Sequence, residues 1–361
     1  MSQNRIAYFK NGNNLTQGIF EEDRSLLLTN PISASEVGTL WLTYQEKTLI
    51  MRLLEYFMKH ADDEESRNLS GGLWQELNFY VLEMEKIFEK QGMVCPIGFT
   101  KADVNLDAPK LYDNGFDIMF LRLLKEVSMG MYTININMAY NNEVMQIYEG
   151  LTTVTQKIYK LATLYLLQKG ILSLPPKVTM PRTTEYIESK SYLSGFSPFG
   201  EKRVLNNIEV GIIHHGIESN NIGMQLVTGF AQCAKNKEVR DYFVKGKELA
   251  KKQIKMFEDI LLESDIQFSA TSGSTVTTST VPPFSDKLMM FCVFLLNGFS
   301  IVGNSFATFF TLRNDLTMKT ALLAKDIYFY GHEGVKIMIK NGWFEEPPQM
   351  EDRKRIIDRD E

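Results

Sequence analysis

Apolar residues recur at helical spacing along most of this chain, as in Leu40, Tyr44, Met51 and Phe57, and again in Ile213, Ile217, Met224 and Phe230. The second series is the first one shifted by 173 positions. The same shift carries Glu36-Val37-Gly38 onto Glu209-Val210-Gly211, Pro109 onto Pro282, Asp113 onto Asp286, Gly130 onto Gly303 and Asn141 onto Asn314. Near the end the offset becomes 172, taking Gly170 onto Gly342 and Pro175-Pro176 onto Pro347-Pro348. The chain is an internal duplication, so each structural expectation is tested twice.

Each copy predicts four long helices. The first covers 35–60 and 207–235, and opens on Ser33-x-x-Glu36 or Asn206-x-x-Glu209, the spacing of a capping box. The second covers 64–91 and 237–264, so close behind that the pair must be an antiparallel hairpin. A longer connection follows, 92–110 and 265–283, rich in Pro, Gly, Ser, Thr and Asp. The third helix is expected to begin near Leu111 and Phe284 and to stop at 141–142 and 314–315. The fourth ends at Gly170 and Gly342, each followed by a Pro-Pro pair that forbids continuation. Short, long, short connections are those of a ferritin-like bundle. The expected fold is all-α: two tandem ferritin-like four-helix bundles. They divide the chain into an arm (1–30), bundle 1 (31–176), a linker (177–205), bundle 2 (206–348) and a charged tail (349–361). Tyr192, Phe196, Pro198 and Phe199 suggest a linker packed across both bundles, and the alternating charges of the tail a solvated one.

Composition adds little beyond exclusions. A net charge of −5 gives no push towards nucleic acid. Cys95, Cys233 and Cys292 are odd in number and lack C-x-x-C spacing, as for reduced thiols. The polar N-terminus has no apolar run of a secretory signal, so the expected compartment is cytoplasmic. Residues 288–312 carry no charge and are long enough for a membrane span. Their counterpart, 114–140, contains Asp117, Arg122, Lys125 and Glu126. A span in one copy alone is unexpected, so the segment reads as a central helix covered on most sides by bundle 1 or another subunit.

Ferritin-like bundles often hold two metal ions on Glu residues and Glu-x-x-His pairs. No Glu-x-x-His occurs in this chain, and copy one has a single histidine, His60. Copy two offers weaker metal candidates: His214 and Glu218 on its first helix, Glu248 on the second, Asn304 on the third and His332 on the fourth. The bland reading is a hydrogen-bonded polar layer or exposed side chains. The duplicate does not share the set, since His214 maps to Trp41, Glu218 to Gln45 and His332 to Lys160. Lys245, Lys247, Lys251, Lys252 and Lys255, interrupted by Glu248, Glu258 and Asp259, read as a solvated helix face. Met129, Met131, Met138, Met289 and Met290 read as packing. No catalytic or cofactor-binding residue is assigned, since phosphate loops, nucleophile elbows and zinc spacings are missing.

Particular strings carry a resemblance. Pro96-Ile97-Gly98-Phe99-Thr100 with Asp103-Val104-Asn105, the run from Thr280 through Pro282-Pro283 to Phe291, and Asn341-Gly342-Trp343 with Pro347-Pro348-Gln349 are three of them. With Lys237-Glu238-Val239-Arg240 and Gly246-Lys247-Glu248, they resemble a Bacillus-type family named domain of unknown function 3231. The resemblance runs from about Leu28 to Arg353. It implies tandem ferritin-like bundles, a distant likeness to spore coat protein F and a spore-associated setting, but transfers no activity. It also implies that relatives often carry histidine where Gln253 stands, a feature this chain lacks.

Three functional readings follow. The first is a non-enzymatic protein with an assembly or interaction role, its partner another protein or a second copy of itself. The second is a degenerate iron or other divalent-metal protein, or an oxidase, using the polar layer of bundle 2. The third is a carrier of an apolar small ligand, since interiors rich in Met and Phe open into pockets. No cofactor is expected in the first and third.

Overall fold

The computed structural model describes residues 31–195, 202–267 and 275–358. Bundle 1 comprises α1 (Ala34–Lys59), α2 (Glu64–Lys90), α3 (Phe116–Ile136) and α4 (Asn142–Gln168). Bundle 2 comprises α5 (Asn207–Cys233), α6 (Lys237–Leu262), α7 (Asp286–Phe310) and α8 (Asn314–Lys340). A short exposed helix, α9 (Arg353–Asp358), lies in the tail.

Two buried glutamates fix the course of each bundle. Glu36 completes the capping box with Ser33, and its other oxygen accepts the backbone N–H groups of Tyr140 (2.7 Å) and Asn141 (2.5 Å). Glu209 does the same with Asn206, and takes the N–H groups of Leu312 and Arg313 at 3.1 Å each. The start of the first helix therefore sits beside the turn between the third and fourth. At the opposite end, Asp63 ahead of α2 meets Tyr165 in the last turn of α4 and Lys169 just after it. The third helix consequently runs parallel to the second, and the long connection must traverse the bundle, as in ferritin-like connectivity.

Burial pushes both glutamates upward, yet the backbone donors on Glu36, and Arg203 with backbone donors on Glu209, outweigh it and hold both carboxyls below their ordinary value. A depressed carboxylate contributes stability above the ordinary value of 4.5 that is lost as pH falls through the lower folded value. The urea midpoint should therefore drop on going from pH 5 to pH 3. The double variant Glu36→Gln, Glu209→Gln should start lower and show a shallower drop. An equally steep drop in the variant would place the acid sensitivity elsewhere.

The two crossovers pair with each other. Val104 bridges Phe284 and Tyr112 bridges Val276. Backbone bonds join Asn105 N–H to Pro283 O at 2.8 Å and Thr277 N–H to Leu111 O at 2.9 Å. Because 104 and 111 map onto 277 and 284 in the repeat, these contacts exchange under the duplication, and the bundles meet about a pseudo-twofold axis. Tyr112 reaches across it to the Leu226 carbonyl at 2.7 Å. One buried apolar cluster spans both bundles, and a smaller one fills the far end of bundle 2.

Three expectations need correction. The helix expected to begin near Leu111 begins at Phe116, because Asn114 and Gly115 adopt left-handed conformations (φ 56° and 72°) that no helix propagates. Among its described residues the linker does not pack across both bundles: 174–191 is exposed throughout, and Tyr192, under the Arg203 guanidinium at 4.0 Å, Gly195, Arg203 and Leu205 lie against bundle 2. Phe196, Pro198 and Phe199 lie outside the described residues. Finally, α7, uncharged beyond Asp286 and Lys287 and long and apolar enough to cross a membrane, is covered along one half only. Leu288 to Val293 are buried, in part against Phe99 of bundle 1, whereas Val302, Phe306, Phe309 and Phe310 are exposed, Phe309 by 78%.

Candidate functional site

The residues proposed from sequence as metal ligands do not converge. Glu218 turns out of bundle 2 to pair with Arg122 of α3 at 2.6 Å, a guanidinium also held by Thr163 (3.0 Å) and Tyr159 (2.7 Å). His214 is half-buried, and burial lowers its proton affinity more than nearby Glu218 raises it. Its neighbour His215 pairs instead with Glu126 across the bundle interface, and that hydrogen bond raises its proton affinity. His332 is exposed and stacks on Tyr328, with ring centroids 6.0 Å apart. Glu248 is exposed on α6. Asn304 faces inward on α7, its amide N–H donated to the Ser300 carbonyl at 2.9 Å. Among the described residues, no three His, Cys, Asp or Glu side chains gather to hold a metal. The lysine run of α6 is solvated as expected: Lys245 pairs with Glu333, Lys252 with Asp326 and Lys255 with Asp259.

What lies among the four helices of bundle 2, with Leu123 of bundle 1 also at its wall, is an open cavity of about 500 Å³. Five glycines contribute to its wall: Gly211, Gly216, Gly223, Gly246 and Gly303. They act in two ways. A methyl group added at Gly223 or Gly303 would meet nothing within 4 Å, so open space lies beside both positions. One added at Gly216 would strike the Phe257 ring, and one at Gly246 the Tyr330 hydroxyl, so these let an aromatic ring rest against helix backbone. Tyr330 stacks on Tyr242 (4.3 Å, 5° between planes), and its hydroxyl donates to the Tyr242 carbonyl at 3.3 Å. The wall is otherwise mainly apolar, with amides from Asn220, Gln253, Asn297 and Asn304. It contains no Lys, Arg, Asp or Glu; His215 stands at an exposed edge.

The same level of bundle 1 is filled. Gly223 corresponds to Ile50 and Gly246 to Leu73, 1% and 0% exposed. Ser219, Asn220 and Gly298 correspond to Glu46, Lys47 and Lys125, all buried. Glu46 Oε1 lies 2.7 Å from Lys47 Nζ and accepts the Ser128 hydroxyl at 2.7 Å, while the Lys125 ammonium has no hydrogen bond. Neither interior fits the dinuclear centre that ferritin-like bundles often hold. Bundle 1 offers one carboxylate against two ammonium groups, and bundle 2 offers amides without carboxylates.

Sequence reasoning missed both interiors. The signal for the cavity was available: Gly216, Asn220 and Gly223 recur at i, i+4 and i+7 on one helical face, where bundle 1 has Thr43, Lys47 and Ile50.

Two successive segments, 24–183 and 194–356, each match the family described as protein of unknown function (DUF3231). The chain belongs to this family. The double match coincides with the duplication, one copy of the family's domain for each bundle. Among solved structures, a candidate spore coat protein of Bacillus halodurans is similar at 14% identity and a TM-score of 0.39. The match covers 42% of this chain and 98% of the other, a likeness too distant to bear on function. No curated protein matches significantly.

Proposed function

We propose that this protein is a non-enzymatic carrier of an apolar small ligand, held in bundle 2, with bundle 1 as its scaffold. The observation that carries the reading is the glycine-walled cavity. Its volume of about 500 Å³ falls within the range of roughly 300–1,000 Å³ typical of small-molecule sites. An open cavity of that size forfeits packing that the duplicate interior retains. A ligand restores it. Exposed Val302 and Phe306 border the cavity, giving an apolar molecule a continuous path from the surface.

An interaction role has one observation of its own. Phe309, Phe310, Met318 and Leu322 are exposed around the α7–α8 turn, so an apolar face remains for a protein partner or a second copy. Native mass spectrometry reads both properties at once. A protein equilibrated with N-phenyl-1-naphthylamine should retain one probe molecule per chain and show saturable fluorescence enhancement. Absence of saturable enhancement would overturn the carrier reading, and a strictly monomeric chain at micromolar concentration would count against self-assembly.

A further inference from the structure

The cavity is not uniformly apolar, and several of its polar groups lie near one level. Helices α5 and α6 are joined by the tight turn after Cys233, so counting away from it in both directions places Gln253 opposite Gly216 and Asn220. Helix α7 starts beside the same turn, where Asp286 accepts the N–H groups of Lys235 (3.1 Å) and Asn236 (2.8 Å). Seventeen residues on, it presents Gly303 and Asn304 at the level that Gln253 reaches seventeen residues after Asn236. Gln253, Asn220, Asn304 and Ser300 therefore form a polar band, while Val227, Val293 and Leu296 line the part towards the turn together with Asn297, whose amide N–H is already donated to the Tyr242 hydroxyl at 3.3 Å.

Within that band one atom stands out. Gln253 is 2% exposed, yet its Oε1 has no hydrogen-bond partner. A buried amide oxygen left unpaired costs about 1–3 kcal/mol, so a donor on the ligand is the natural complement. Asn220 and Asn304 each direct an amide N–H at a backbone carbonyl, of Gly216 (2.8 Å) and Ser300 (2.9 Å). Carbonyls only accept, so these amides leave their own oxygens turned away from the helix. No lysine or arginine lines the space and His215 at its edge is already paired with Glu126, so an ionised carboxylate there would go unpaired. The lining residues run from Gly211 to Val227 along α5, roughly 24 Å at 1.5 Å per residue, which favours an elongated ligand.

We infer that the cavity takes a neutral, long-chain amphiphile whose hydroxyl or amide N–H donates to Gln253 Oε1, with its hydrocarbon chain directed towards Val227 and Val293. This rests on the carrier reading and assigns the ligand's class and orientation within it.

The test titrates the full chain with 1-dodecanol, dodecyl methyl ether and, at pH 8, dodecanoate, following displacement of bound N-phenyl-1-naphthylamine. The alcohol should bind roughly tenfold more tightly than the ether, the difference one hydrogen bond makes. It should also bind more tightly than dodecanoate. In Gln253→Leu the alcohol and ether should become equal. Equal affinities in the unmodified protein, or a preference for the carboxylate, would overturn the assignment and leave the carrier reading standing. Failure of all three to displace the probe would overturn the assignment too, and failure of the probe itself to bind would remove the carrier reading beneath it. The alcohol-to-ether ratio in the unmodified protein decides the matter even where the Leu variant does not fold.

Discussion

Replacing Lys125 with methionine should stabilise the protein by roughly 1–4 kcal/mol, the range found when buried ion pairs give way to apolar side chains of similar size. Lys125 is fully buried in bundle 1, and its ammonium lacks a hydrogen bond. The one carboxylate nearby, Glu46, is already engaged by Lys47 and Ser128. Burial, and then the charge of Lys47, push the Lys125 amine down to about 7, with Glu46 opposing. A lysine depressed in the folded state destabilises it fully below that folded value, and progressively less as pH rises towards the ordinary 10.5. The gain from Lys125→Met should thus be largest at pH 7 and below, and should shrink by pH 10. Methionine retains the unbranched shape, and the remaining Glu46–Lys47 pair is neutral. The reverse experiment, Glu46→Gln, leaves two buried ammonium groups uncompensated and should cost about 3–5 kcal/mol. Urea midpoints at pH 7 check both. An unchanged or lowered midpoint for Lys125→Met would mean that the amine has a partner that compensates its burial.

The features legible in the sequence were those written as local signals. Capping boxes at Ser33–Glu36 and Asn206–Glu209, and the left-handed glycines Gly170 and Gly342, fixed helix starts and ends in both copies. The length of the middle connection gave the topology. What escaped notice were positions whose meaning depends on what surrounds them. Lys125 and Glu46 look like surface residues in a string of letters, because charge alone does not reveal that a side chain is buried. Gly223 and Gly303 read as weak points in helices, since a glycine lowers helix propensity wherever it stands. Only the facing helices reveal that the missing side chains leave a common space. Among the five residues picked from sequence as metal candidates, Asn304 alone borders the cavity. Glu218 was drawn instead to Arg122 of the other bundle, a contact no local pattern encodes.

The cavity itself is best tested by filling it with the residue its duplicate carries. Gly223→Ile installs the counterpart of Ile50, a side chain 1% exposed in bundle 1. The first atom added meets nothing within 4 Å, so the backbone need not move to admit it. Helix propensity then contributes about 0.5 kcal/mol and burial of the new side chain more, for a net stabilisation of roughly 1–3 kcal/mol. The same atoms occupy the ligand's volume. Affinity for N-phenyl-1-naphthylamine should therefore fall tenfold or more, at the 1–3 kcal/mol that overpacking costs. Gly223→Ala should stabilise as well, by about 1 kcal/mol, while leaving most of the volume and most of the affinity. The two readouts separate the possible errors. A destabilised isoleucine variant would mean that the space is already occupied by protein. A stabilised variant that still binds the probe with unchanged affinity would place the ligand elsewhere. Gain of stability together with loss of binding is the result expected of a bundle whose interior glycines leave room for another molecule.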